Sequence, residues 1–162
     1  MNEQYSLSKS AQKIQAALVE RGLALKVLEL PSSTRTAIDA ATTLNCEVAQ
    51  IVKSLLFRTH ATHQPILILV SGSNRINEKM LADLVGEKII KADADFARQI
   101  TGFAIGGIPP IAHKQTIQRI FIDQDLLKFQ TLWAAAGTPF AVFALESKIL
   151  ESLTGGTVVA IN

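Results

Sequence analysis

Apolar residues recur at helical spacing through SLSKSAQKIQAALVERG (6–22), which predicts an amphipathic helix with Ile14, Ala17 and Leu18 on one face, a serine cap and Gly22 as its stop. LALKVLEL (23–30) reads as a strand ended by Pro31, and TAIDAATTLN (36–45) as a second short helix. EVAQIV (47–52) has helical spacing and hands over at Lys53 to the strand SLLFRT (54–59); HATHQ (60–64) turns the chain into the continuously apolar strand PILILVSG (65–72). NEKMLADLVG (77–86) and DADFARQITG (93–102) each carry a polar cap and a terminal glycine, so both read as helices, with the strand EKIIKA (87–92) between them. Strands at RIFID (119–123), TLWAAA (131–136) and FAVFAL (140–145), a helix at ESKILESLTGG (146–156) and a final strand TVVAIN (157–162) complete the pattern. The alternation predicts a mixed α/β fold, and AAGTPF (135–140) reads as a hairpin turn that makes part of the sheet antiparallel.

Length and composition narrow this to one domain spanning 1–162: 162 residues with 48% apolar and 19% charged side chains suffice for one filled core and are too few for two ordinary domains. Only about the first dozen residues, 1–12, look expendable. There is no run of 18 apolar residues, no signal-peptide core at the N-terminus, and a single cysteine, Cys46, so the simplest expectation is a cytosolic protein with no internal disulfide. The formal charge of +2 permits a polyanionic partner without demanding one, and no basic run with interleaved aromatics is present.

Two features carry candidate chemistry. Lys53 stands in QIVKSLLFR, otherwise almost wholly apolar. Burying an unpaired ammonium shifts its pKa by ~3–5 units, at about 1.4 kcal/mol each, which weighs against a dry, unpaired Lys53. Either its stem packs while the head reaches water, or the head enters a wet pocket and meets an anion. The second feature is ITGFAIGGIPPIA (100–112), where paired glycines and paired prolines make a stiff loop. Such a loop is a plain turn or a set of outward amides for an oxyanion.

The remaining polar groups read as structure. His60 and His63 lie in a polar turn without ligand partners, Asp93/Asp95 and Asp123/Asp125 fit caps and turns, His113 fits the surface, and Cys46 fits a small packing position. GxGxxG, GxxxxGK[ST] and GxSxG are all absent, which argues against dinucleotide, P-loop and serine-elbow chemistry.

In order along the chain stand Lys53-Ser54-Leu55, a strand ending in Gly72, Asn77-Glu78-Lys79-x-Leu81, Thr101-Gly102 leading into Gly106-Gly107-Ile108-Pro109-Pro110, and Leu153-Thr154-Gly155 before a terminal strand. This series, from roughly Thr34 to Ile161, resembles the YbaK family, free-standing trans-editing proteins related to the insertion domain of bacterial prolyl-tRNA synthetases. The resemblance implies a barrel-like mixed, largely antiparallel sheet flanked by helices. It also implies an aminoacyl-tRNA deacylase that hydrolyses the ester of a mischarged small amino acid such as Cys or Ala, with no metal, no cofactor and no enzyme nucleophile. On that basis Lys53 holds a phosphate or ribose of the acceptor end, amides near Gly106 and Gly107 face the ester oxygen, and Ser54, Gly72, Ile108, Pro109 and Pro110 contact substrate. Pro109 departs from the family, which often has serine there, and the late histidine of some alanine-specific relatives has no counterpart. A synthetase or elongation factor is an implied partner; a membrane is not. The alternatives are a module that binds an acceptor end or nucleotide without turnover, and a small-molecule ester or amide hydrolase on the same scaffold.

Overall fold

The computed structural model describes residues 7–162. Helix α1 (Lys9–Glu20) begins where the Ser8 side chain accepts the Ala11 N–H, and it buries Ala11, Ile14, Ala17 and Leu18. Within the N-terminal stretch 1–12, Leu7 packs on the main core and Ala11 is fully buried, because the apolar period of the helix starts there. The rest of that N-terminal expectation, residues 1–6, lies outside the described residues.

Among the described residues eight strands form one mixed sheet. They are β1 (Val27–Glu29), β2 (Ile51–Thr59), β3 (Pro65–Ser71), β4 (Ile89–Lys91), β5 (Arg119–Asp123), β6 (Thr131–Ala135), β7 (Ala141–Glu146) and β8 (Thr157–Val159). Their order is β1-β7-β6-β2-β3-β5-β8, with β4 on β2, so β1 and β8 end the path. Four pairings are antiparallel (β1·β7, β2·β3, β2·β4, β6·β7) and three parallel (β2·β6, β3·β5, β5·β8). The β6–β7 hairpin turns at the expected AAGTPF.

Helices α2 (Ala37–Leu44), α3 (Glu78–Val85), α4 (Ala94–Thr101) and α5 (Leu150–Thr154) complete the chain. Asn77 and Asp93 cap α3 and α4 through their side chains, and Gly86 and Gly102 end them in the left-handed region that glycine tolerates. None of the described helices is long and apolar enough to cross a membrane. Strand β3 is apolar on both faces because both are covered: Leu67 and Leu69 enter the core that holds α1 residues, while Ile66, Ile68 and Val70 pack with Leu81 of α3.

One expectation changes in a way that matters for the site. Of EVAQIV, only Val48–Gln50 is helical, a single 3-10 turn closed by reciprocal bonds between Glu47 and Gln50, and β2 already begins at Ile51. Val52 pairs with Ser71 on one side and Ala134 on the other, so β-branched Ile51 and Val52 go to the sheet. Lys53 thus lies within a strand, not at a helix-to-strand junction.

Ile14→Ala is expected to cost about 2–5 kcal/mol by removing a fully buried side chain, measured as a lowered urea midpoint. An unchanged midpoint would mean α1 is not part of the folding unit.

Candidate active site

Strand β2 bonds to β3 from Val52 to Arg58, but two strands share its other side: β6 meets Ile51 and Val52, and β4 meets Phe57 to Thr59. Between those two pairings lie Lys53, Ser54, Leu55 and Leu56, and beside the first three a cleft of about 460 Å³ opens. Its walls come from the segment before and into α2, from β2, from residues 72–75 after β3, from Ile105, Gly106 and Ile108, and from the β6–β7 pair. Among the described residues three cations line it, Arg35, Lys53 and Arg75, and no aspartate or glutamate does. Its apolar lining includes Val52, Ile108, Ala134 and Val142.

The Lys53 head is held. Its Nζ donates to the Asn74 carbonyl oxygen at 2.7 Å. Asn74 is itself fixed by its side-chain amide, which donates to Asp123 Oδ2 at 2.8 Å and to Asp125 Oδ2 at 2.7 Å. Asp123 is only 1% exposed, and its Oδ2 also accepts the Ser71 N–H at 3.0 Å. Burial pushes the Lys53 pKa below the ordinary lysine value of 10.5; the neighbouring Arg75 adds to the depression, and Asp123 opposes it. One carbonyl leaves two ammonium donors for other partners.

Ser54 follows directly and, by strand alternation, presents to the opposite face; it pairs with Leu69 where Lys53 pairs with Val70. Ser54 lines the cleft, and its Oγ is buried and has no hydrogen-bond partner among the described residues. A buried hydroxyl without a partner costs free energy, so this oxygen is suited to a bound group.

Gly72 also lines the cleft, for a backbone reason. A Cβ there would strike the Val48 carbonyl oxygen and lie 2.9 Å from Ala37 Cβ, and the Gly72 N–H donates to Ile51 O at 2.8 Å. Only glycine lets the 72–75 segment approach the 3-10 turn and α2 this closely.

The Gly-Pro loop divides. Gly106, at φ +96°, lines the cleft under Arg35, whose Cγ would lie 3.2 Å from a Cβ at that position. Ile108 lines it as well. Among the described residues, neither the Gly106 nor the Ile108 N–H has an intramolecular acceptor. Gly107 serves the fold instead: its N–H donates to Ala104 O at 3.0 Å, its carbonyl accepts the Gly137 N–H at 3.0 Å, and a Cβ would lie 2.8 Å from Thr138 Cα. Pro109 and Pro110 are buried outside the cleft lining; the Pro109 carbonyl meets His113 Nε2 at 2.7 Å. So Lys53, Ser54, Gly72, Gly106 and Ile108 come together, and Gly107, Pro109 and Pro110 stand behind them.

Two residues were not singled out from sequence, Arg35 and Arg75, separated from Lys53 by long stretches of chain; Asp123 is the cap the sequence suggests, its Oδ1 accepting the Asp125 N–H at 3.0 Å, and in addition it is buried and bonded to Ser71 and Asn74. Burial raises the Cys46 thiol pKa, with Glu47 adding to it, and Cys46 packs beside Ala40, Ala41 and Ile51. His60 and His63 are exposed in the β2–β3 turn. Among the described residues no three His, Cys, Asp or Glu side chains gather into a group able to hold a metal ion.

Residues 31–153 match the family described as the aminoacyl-tRNA editing domain, a span that takes in every wall of the cleft. This chain belongs to that family. It is 31% identical to the uncharacterized protein YwhH of Bacillus subtilis, over 79% of this chain and 80% of that one. It is 30% identical to a proline–tRNA ligase of Limosilactobacillus fermentum over 56% of this chain but only 16% of the ligase. Among solved structures, a candidate trans-editing enzyme for prolyl-tRNA synthetase superposes with a TM-score of 0.91 at 46% identity, covering 97% of this chain and 99% of that one. The editing domain of this chain therefore has the mixed, helix-flanked sheet of YbaK-like proteins.

Gly72→Ala should destabilise the protein by roughly 1–3 kcal/mol, since backbone must move to admit the methyl. Ser54→Ala should leave the thermal midpoint unchanged or raised, because the hydroxyl has no partner to lose. A marked fall in the midpoint of Ser54→Ala would show that the hydroxyl is structurally bonded.

Proposed function

We propose that this protein is an aminoacyl-tRNA deacylase acting in trans, one that hydrolyses the ester between a mischarged small amino acid, such as cysteine or alanine, and the terminal ribose of a tRNA. The observation that carries the reading is a cleft with three cations, no carboxylate and an apolar inner lining, within an editing-domain fold. An acceptor end brings phosphates for the first and a small side chain for the last.

An aminoacyl ester is already activated, so positioning and charge stabilisation do most of the work. Lys53 serves as a point charge to a phosphate or ribose oxygen, joined by Arg35 and Arg75 at the exposed rim. The amides of Gly106 and Ile108, free of other acceptors, are available to the carbonyl oxygen as it becomes an oxyanion. Gly107, Pro109 and Pro110 act by holding that loop. Water adds to the carbonyl carbon and gives up a proton; the bond to the ribose oxygen then breaks, that oxygen takes a proton, and free amino acid and a tRNA hydroxyl result. Ser54 Oγ, without a partner of its own among the described residues, bonds the amino-acid moiety or the adenosine.

No acid–base pair lines the cleft, which is the observation favouring the second reading: an acceptor-end binding module without turnover. Presentation of the substrate by a synthetase or elongation factor fits either reading.

Deacylation of tRNAs charged with Ala, Cys, Ser or Pro separates the two. Wild type should release one ester selectively, and Lys53→Ala should lose about 100-fold or more of that rate; full stability of every ester alongside retained tRNA binding establishes the binding module. Binding of an uncharged acceptor-stem oligonucleotide should weaken with salt, and Lys53→Ala should reduce the log–log slope by about 0.7, the value for one single-strand phosphate contact. Because the folded Lys53 pKa is depressed, affinity should fall as pH rises through a range below 10.5. The unfolded chain holds the Lys53 proton more tightly in that interval, so this group's contribution to stability improves as pH rises there.

A further inference from the structure

Beyond the residues that line the cleft, Asp123 is the buried charged group with the most bonds to account for. It sits at the end of β5, 1% exposed, and among the described residues no cation is in salt-bridge contact with it. Its oxygens accept from the Ser71 N–H, the Asn74 amide and the Asp125 N–H at 3.0, 2.8 and 3.0 Å. Ser71 ends β3 and Asn74 belongs to the segment that leaves it and returns over Lys53, and the Asn74 N–H closes that turn on Ser71 O at 2.9 Å. The Lys53 ammonium rests on the carbonyl of the same Asn74.

From this chain of contacts we infer that Asp123 and Asn74 are positioning residues which fix the Lys53 ammonium at the cleft and set the segment that carries Arg75. A lysine has four rotatable side-chain bonds, and a free head would sweep a wide arc. Here it is tied through one carbonyl to an amide clamped between two carboxylates, one of them buried where water cannot compete. The charged groups facing Lys53 are Arg75, on the tethered segment, and Asp123, behind it. Arg35 lies across the cleft, against Gly106. Asp125 is drawn outward by Lys128 at 2.8 Å, so Asp123 is the more permanent anchor.

Asn74→Ala keeps the Asn74 carbonyl but cuts both carboxylate ties. Asp123→Asn places an amide nitrogen among N–H donors; if it does not fold, Asn74→Ala carries the test alone. The readouts are the Lys53 side-chain signal in a 13Cε-lysine NMR titration, assigned with Lys53→Ala, and a double-mutant cycle of Asn74→Ala with Lys53→Ala on ester turnover. The inference predicts that Asn74→Ala displaces the Lys53 signal and its titration, lowers kcat/KM by about 10-fold in wild type, and costs nothing more once Lys53 is gone. Lys128→Ala, which releases Asp125 alone, should leave the Lys53 titration in place. An unmoved Lys53 titration in Asn74→Ala, or additive losses in the cycle, overturns the inference. The kinetic arm rests on the deacylase reading and the titration does not: if wild type shows no turnover that reading falls, and the titration still decides the positioning role.

Discussion

One strand bears most of the architecture. β2 is bonded along one side to β3 and along the other to two strands that approach from different parts of the chain, β6 near its start and β4 near its end. Neither pairs with the four residues between, and that interruption is where the cleft lies. Both outer stretches of β2 are held by sheet bonds, so Lys53 and Ser54 inherit a rigid backbone without belonging to a closed ladder. A site built on a strand in this way is more precise than one built on a loop.

The charge at that interruption is affordable because it is not isolated. Lys53 pays a desolvation cost that depresses its pKa, and the Asn74 carbonyl and Asp123 limit it. The 72–75 segment can supply that carbonyl because Gly72 has no side chain to keep it from Val48 and Ala37. Backbone proximity, a buried carboxylate and a half-buried ammonium are thus one arrangement read at three places.

Much of this was legible from residue patterns. The caps at Ser8, Asn77 and Asp93 and the glycine stops located three helices, and the uninterrupted run PILILVSG announced a strand covered on both faces. EVAQIV misled because apolar spacing over six residues fits both periods, and pairing with Ser71 and Ala134 decides between them. Lys53 stood out because an ammonium among apolar neighbours demands an explanation. Arg35 and Arg75 did not, since each sits in polar surroundings and only the fold brings them to the same cleft. Nor could sequence divide Gly106 from Gly107: the difference is that one faces a side chain, Arg35, and the other the backbone of Thr138.

The absence of any carboxylate among the lining residues has a thermodynamic side. Arg35, Lys53 and Arg75 come from three separate stretches of chain, and folding brings their like charges toward one space. Work is done against that repulsion each time the protein folds, and an anion seated among them returns it. Occupancy and conformational stability are then two readings of a single linked equilibrium: an anion that binds the folded cleft and not the unfolded chain stabilises the fold.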